Sequence, residues 1–304
     1  MSALPVPVTD VLQPTDAKTP AAANAKKTLT SPVGTAIAMV LATLWTIPTF
    51  GLFITSFRPE ASIKSTGWWT WFTNPEFTLD NYRETLFGGS TNLSTYFINS
   101  VVITLPSVII PIALASLAAY AFAWMKFPGR DTLFVMVFAL QIVPIQVTMI
   151  PLLTFYTKQL HISQTFWPVW ISHTMFGLPL AIYLLHNFMS EIPKELIEAA
   201  RVDGCGHVKV FFRIMLPLLT PALAAFGIFQ FLWVWNDLLV ALVFGSSKTV
   251  APLTVRVAEL SGTRGTEWQL LSAGAMLSIV VPLVVFVSMQ RYFVRGLLAG
   301  SVKG

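Results

Sequence analysis

Glu198-Ala199-Ala200-Arg201-Val202-Asp203-Gly204, followed after nine residues by Ile214-Met215-Leu216-Pro217, is a polar break between two long apolar segments. Its own pattern predicts two short helices joined by a glycine turn. Pro193 suits a first helical position, Glu195 suits the positive end of the helix dipole, and Gly204 and Gly206 permit a sharp stop. The second helix is expected over about 208–216, ending before Pro217, since proline lacks the N–H that would continue it. Leu196, Ala199 and Ala200 in the first helix, with Val210, Phe211 and Ile214 in the second, offer apolar surface that a short helix cannot bury alone. The loop is therefore expected to dock on something.

What surrounds the break follows from composition. The 304 residues are 55% apolar and only 11% charged, with a mean hydropathy of +0.69. Too few charges are present to cover a water-soluble globule of this length, so the solvent is lipid. The single cysteine, Cys205, excludes an intramolecular disulfide and any multi-thiolate metal site within the chain. A net charge of +5 suggests nucleic-acid binding in a soluble protein. In a membrane protein it instead reports topology.

Residues 1–31 are rich in Ala, Pro and Thr, lack aromatics and read as a disordered tail. The apolar run at 33–57 is longer than the roughly 7–15 residues of a signal-peptide core, and reads as a first spanning helix. Five more segments near the ~20 residues needed to cross the bilayer follow at about 97–125, 132–157, 165–189, 221–244 and 271–293. The fold class is thus an all-α polytopic membrane protein with six transmembrane helices, residues 32–304 forming one domain with an external loop at 58–96 and a cytoplasmic loop at 190–217. With the N-terminus inside, twelve Lys and Arg fall on the cytoplasmic side and seven on the outer side, which favours N-terminus and C-terminus both cytoplasmic.

Polar interruptions mark the membrane segments. Pro144 and Pro151, with Gln141 and Gln146, predict a bend in the third segment beside protein or a wet cavity. The glutamines read as interhelical hydrogen-bonding groups. His173 and His186 in the fourth segment have no ionisable neighbour at helical spacing, so no proton relay is expected. In the fifth segment Gln230, Trp233, Trp235, Asn236 and Asp237 interrupt an apolar run. Asp237 is the one carboxylate expected within the membrane region, either lining a pathway or hydrated near the outer mouth. Outside, Trp68, Trp69, Trp71 and Phe72 read as an aromatic belt at headgroup depth.

No motif supplies chemistry. Gly245-Ser246-Ser247-Lys248-Thr249 has the Lys-Thr ending of a phosphate-binding loop, yet Ser247 replaces the required glycine and no helix follows. Gly204-Cys205-Gly206 begins like a dinucleotide fingerprint, but Lys209 occupies the third glycine position. There is no zinc pattern and no nucleophile elbow, so catalytic and metal residues are both expected to be absent.

The pattern Glu-Ala-Ala, three residues, Gly, nine residues, Ile-x-Leu-Pro resembles the cytoplasmic signature of permease subunits of bacterial ATP-binding-cassette importers, matched at Glu198, Ala199, Ala200, Gly204, Ile214, Leu216 and Pro217. Leu178-Pro179, Ile192-Pro193-Lys194-Glu195-Leu196, Val202-Asp203-Gly204, Trp235-Asn236-Asp237 and Arg291-Tyr292-Phe293-Val294-Arg295-Gly296-Leu297 are similar to the carbohydrate-uptake branch, and within it to the second, six-helix permease subunit of maltose-type systems. The likeness runs from about residue 32 to the C-terminus.

That resemblance implies the type I importer permease fold and a half-pore that pairs with a second permease subunit, two cytosolic ATPase subunits and an extracytoplasmic sugar-binding protein. It implies no cofactor on this chain, with ATP and magnesium held by the partner ATPases, and no nucleic acid. Glu198, Ala199, Ala200, Asp203, Gly204, Ile214, Leu216 and Pro217 would form the ATPase-coupling loop. A Glu198–Arg201 pair at i,i+3 is the alternative use of that carboxylate. Family members often carry Glu where this chain has Asp237, and residues 298–304 are similar to a tail that reaches toward the ATPases. The expected substrate is maltose or another α-glucoside, with Gln230, Trp233, Trp235, Asn236 and Asp237 as pathway candidates. Glycerol-phosphate-type solutes are the alternative, and a proton-coupled secondary transporter or a scaffold without a pathway are the rival classes.

Overall fold

The structure, a computed structural model, describes residues 32–88, 92–262 and 267–301. The expected disordered tail at 1–31 and the final residues 302–304 lie outside the described residues, while 298–301 continue the last helix. Two compact units divide the chain, Met1–Leu52 and Phe53–Gly304. The described part of the first belongs to helix α1, Pro32–Ser56, apolar on every face as a lipid-surrounded helix requires.

In the second unit the external segment carries α2, Glu60–Ser65, a 3₁₀ turn at Trp68–Phe72, and α3, Asp80–Phe87. Arg58 organises it. The residue is only 3% exposed, and its guanidinium donates to the Thr66 and Ser62 carbonyls at 3.3 and 3.2 Å and to the hydroxyls of Thr66 and Thr70. The tryptophans divide: Trp69 and Phe72 are exposed, whereas Trp71 is half-buried and donates its Nε1–H to the Glu76 carbonyl at 3.2 Å.

The bundle follows. Its helices are α4, Leu93–Trp124; α5, Arg130–Ala139; α6, Ile145–Lys158; α7, Trp167–Ser190; and the short α8, Lys194–Val202. Then come α9, His207–Val210; α10, Thr220–Trp235; α11, Leu239–Phe244; α12, Leu253–Gly262; and α13, Trp268–Ser301. No strand occurs among the described residues. Among the described residues four helices (α1, α4, α7 and α13) are long and apolar enough to cross a membrane alone, and two bent pairs bring the number to six if each pair is one span.

The first bent pair is the bend expected of the third segment. Residues 130–142 and 145–158 meet at 98°, because Pro144 starts α6 from an extended conformation after a 3₁₀ turn at Leu140–Ile142. The elbow frames a largely apolar cavity of about 490 Å³ with Met175, Phe176 and Pro179 of α7. The expected fifth segment, 221–244, is not continuous, since the chain breaks at residues 236–238 before α11. Ahead of that segment, His207–Leu218 and Thr220–Trp235 meet at 70°.

Proline accounts for how the long helices are stapled together. A helical proline leaves the carbonyl four residues earlier without its N–H partner, and in a bilayer that carbonyl needs another donor. Pro106 and Pro111 lie inside α4 and Pro282 inside α13. The carbonyls they strand are those of Val102, Ser107 and Ser278. Each receives a side-chain donor from a neighbouring helix: Trp170 Nε1 on Val102 at 3.0 Å, Gln230 Nε2 on Ser107 at 3.2 Å and Trp235 Nε1 on Ser278 at 3.1 Å. Helix α4 thereby fastens to α7 and α10, and α10 to α13.

Candidate functional site

Helix α8 carries the first half of the opening motif and is amphipathic over its short length. Ile197 and Ala200 are buried, while Glu198, Ala199 and Arg201 face out. Glu195 sits in its first turn and Arg201 in its last, matching the helix dipole. It stops as glycine chemistry dictates. Gly204 has φ +76°, its N–H donates to the Arg201 carbonyl at 3.0 Å, and the Cys205 N–H donates to the Ala200 carbonyl at 2.9 Å. These two bonds form a Schellman motif, with glycine needed for the left-handed backbone. Space is not the reason, for a Cβ at Gly204 would meet nothing within 4 Å.

Beyond Gly206 the chain turns back toward the membrane bundle. A π-helical turn at Phe211–Met215 separates α9 from a helical turn at Leu216–Leu218. Pro217 therefore does not end the second helix, contrary to expectation; the wider turn just before it relieves the clash between its ring and the carbonyl four residues earlier. Here the motif splits by burial. Ala200, Val210, Phe211 and Met215 enter one core with Ala119, Tyr120 and Phe122 of α4 and Ile182, Leu185 and Met189 of α7, and Cys205, Ile214 and Leu216 pack against it. Much of the apolar surface expected to dock elsewhere is thus covered by the protein's own helices.

The outward face keeps the rest. Glu198, Ala199, Asp203, Gly204 and Pro217 are exposed, accompanied by Leu196 and by Val202, Val208 and Phe212 at 88%, 73% and 58%. The sequence reading did not single out the last three as docking surface. Glu198 does not pair with Arg201: among the described residues its carboxylate makes no ion pair, and the Arg201 guanidinium lies 3.3 Å from Nε2 of His207.

The fifth-segment residues do not share one surface. Gln230 is fully buried, bonded to Ser107 and 3.5 Å from the His173 carbonyl. Trp235 is buried against Phe97 and Phe231 and held by Ser278. Asn236 is exposed and donates to the Leu232 carbonyl at 2.7 Å. Trp233 stands edge-on to His173 with ring centroids 5.7 Å apart. Asp237 accepts the N–H groups of Val240 and Ala241 at 3.4 and 3.0 Å, capping α11, and its Oδ2 lies 3.7 Å from Nε2 of His173. His173, which has no ionisable neighbour at helical spacing, thus has one from another element. The partner comes from the helix break rather than from helical spacing, and a linear pattern does not show it.

Residues 112–298 match the model of the binding-protein-dependent transport system inner membrane component family. The chain belongs to that family. This permease is 53% identical over 270 residues to the osmoprotective compounds uptake permease protein GgtD of Synechocystis sp., covering 87% of this chain and 90% of the relative. It is 50% identical over 252 residues to the alpha-glucoside transport system permease protein AglG of Rhizobium meliloti, covering 81% of this chain and 66% of that longer one. Among solved structures, a chain of a bacterial ABC transporter that imports the acidic polysaccharide alginate superposes with a TM-score of 0.69 at 19% identity, over 86% of the permease and 95% of that chain. The all-α importer-permease fold is thereby shown, and the relatives are named as transport components rather than enzymes.

Proposed function

We propose that this permease is the transmembrane subunit of an ATP-driven importer of uncharged glycosides, forming half of the translocation pathway with a second permease subunit. Its loop at 190–217 docks on cytosolic ATPases, one on each half, and an extracytoplasmic binding protein delivers the solute from the opposite face. Both termini are cytoplasmic. The observation that carries this reading is the loop's division into two faces, one anchored in the membrane core and the other presenting the unpaired Glu198 beside Ala199, Asp203 and Gly204.

Coupling requires that the loop's partner hold it differently in two global states, because equal affinity shifts no equilibrium. ATP-driven closure of the ATPase pair draws the two docked loops together, and the anchored face turns that displacement into movement of α4, α7 and α10. The pathway opens outward, and hydrolysis resets it.

The α-glucoside relative supports a glycoside substrate, with maltose as one candidate. Among the residues whose burial is described, the only buried Lys or Arg is Arg58, in the external segment. Glycerol-phosphate-type solutes are the alternative substrate class. Trp233 with His173 and Asp237 supplies the aromatic face and polar groups that suit a sugar path, whereas Gln230 and Trp235 are engaged as helix staples.

The His173–Asp237 pair is the one arrangement that favours proton-coupled transport instead. Uptake by ATP-loaded vesicles carrying the complete transporter separates the two readings. ATP-driven import continues when a protonophore collapses the proton gradient, and collapse of uptake with the gradient would overturn the proposal.

A further inference from the structure

Three side chains from three elements meet where the loop joins the bundle. Tyr120 of α4 is buried and places its hydroxyl 3.0 Å from Nδ1 of His207 at the start of α9. Nε2 of the same imidazole lies 3.3 Å from the Arg201 guanidinium at the end of α8. The Tyr120 ring is further gripped edge-on by His207 and Phe211, with centroids 5.9 and 5.4 Å apart.

Donor chemistry fixes the proton. A guanidinium has only donors, so Nε2 accepts and carries no hydrogen. The imidazole proton therefore sits on Nδ1 and is donated to the Tyr120 oxygen. Neutral His207 fits this chain of bonds. A protonated ring does not, since its Nε2–H would point at a cation.

We propose that His207 is a positioning residue for energy coupling, tying the docking helix α8 to the membrane helix α4. This rests on the coupling reading above. Apolar contacts beneath the loop can slide as α8 is displaced, but a hydrogen bond is directional and fails beyond a few tenths of an ångström. Arg201 closes the turn that presents Gly204, so holding Arg201 through His207 to Tyr120 carries α8's movement to a helix stapled to α7 and α10.

The test uses the complete transporter reconstituted with its ATPases and binding protein, reading solute imported per ATP hydrolysed. His207→Phe keeps the edge-on ring and removes both bonds, and Tyr120→Phe removes one. Each lowers the ratio roughly fivefold, the size of one lost hydrogen bond, and the double variant falls no further than either single because all three interrupt one chain. His207→Gln, whose amide offers both N–H donors and a carbonyl acceptor, restores part of the ratio. Parental ratios in both single variants, or additive losses in the double, would overturn the tie. A parent that imports without ATP would instead overturn the coupling reading on which it stands.

Discussion

Gln230 donates its Nε2–H to the Ser107 carbonyl at 3.2 Å, the carbonyl that Pro111 deprives of its helical partner. The pair shows why a polar side chain stands in an otherwise apolar helix. Replacing Gln230 by Leu leaves that carbonyl buried and unpaired, at a cost of about 1 kcal/mol given the modest worth of interhelical hydrogen bonds in membranes. Adding Pro111→Ala returns an N–H to α4 and recovers part of the loss. Thermal unfolding in detergent checks both; equal midpoints for all three proteins would refute the stapling argument.

Close approach of α7 and α10 depends on Gly177. A Cβ there would lie 2.8 Å from both Nε2 and Oε1 of Gln230, whose buried side chain has nowhere to move. Gly177→Ala therefore destabilises by roughly 1–3 kcal/mol, the usual range for overpacking. Gly227→Ala is the milder comparison, because its Cβ would meet only the flexible end of Ile112 at 3.4 Å. The order of the two unfolding midpoints is the measurement.

Asp237 has a structural task that does not need its charge. Asn at this position retains an oxygen for the Val240 and Ala241 N–H groups, whereas Ala loses the cap at about 1 kcal/mol. Asp237→Asn is expected to transport and Asp237→Ala to unfold at lower temperature. Complete loss of uptake in a well-folded Asp237→Asn protein would show that the charge itself is used.

Much of the fold was legible because lipid imposes long apolar runs, and α1, α4, α7 and α13 lie near their expected positions. The elbow at Pro144 was visible as a proline. Its 98° angle was not, since packing of α5 and α6 against α7 sets it. At the loop, the glycine turn could be read directly, because only a positive φ explains Gly204. Which apolar residues face inward could not, for Phe211 and Phe212 are adjacent and indistinguishable in pattern, yet one is buried and the other exposed. The His173–Asp237 contact escaped for a related reason: it joins a helix to a break far along the chain.

Orientation is open to direct chemistry because Cys205 is the sole cysteine. In a Cys205→Ser background, Lys248→Cys is labelled by a membrane-impermeant maleimide added outside intact cells, and Lys209→Cys only after permeabilisation. The reverse pattern would invert the topology and place the loop beyond the reach of cytosolic ATPases.

The central claim is that Glu198 and the turn at Gly204 pass the work of partner ATPases to this membrane domain. Binding-protein-dependent uptake by Glu198→Lys and Gly204→Asp, normalised to the amount of permease in the membrane, tests it most directly. The account predicts that both variants reach the membrane and import essentially nothing, while Gly204→Asn, which tolerates the left-handed backbone, keeps most of its uptake. Undiminished uptake by Glu198→Lys or Gly204→Asp would contradict it.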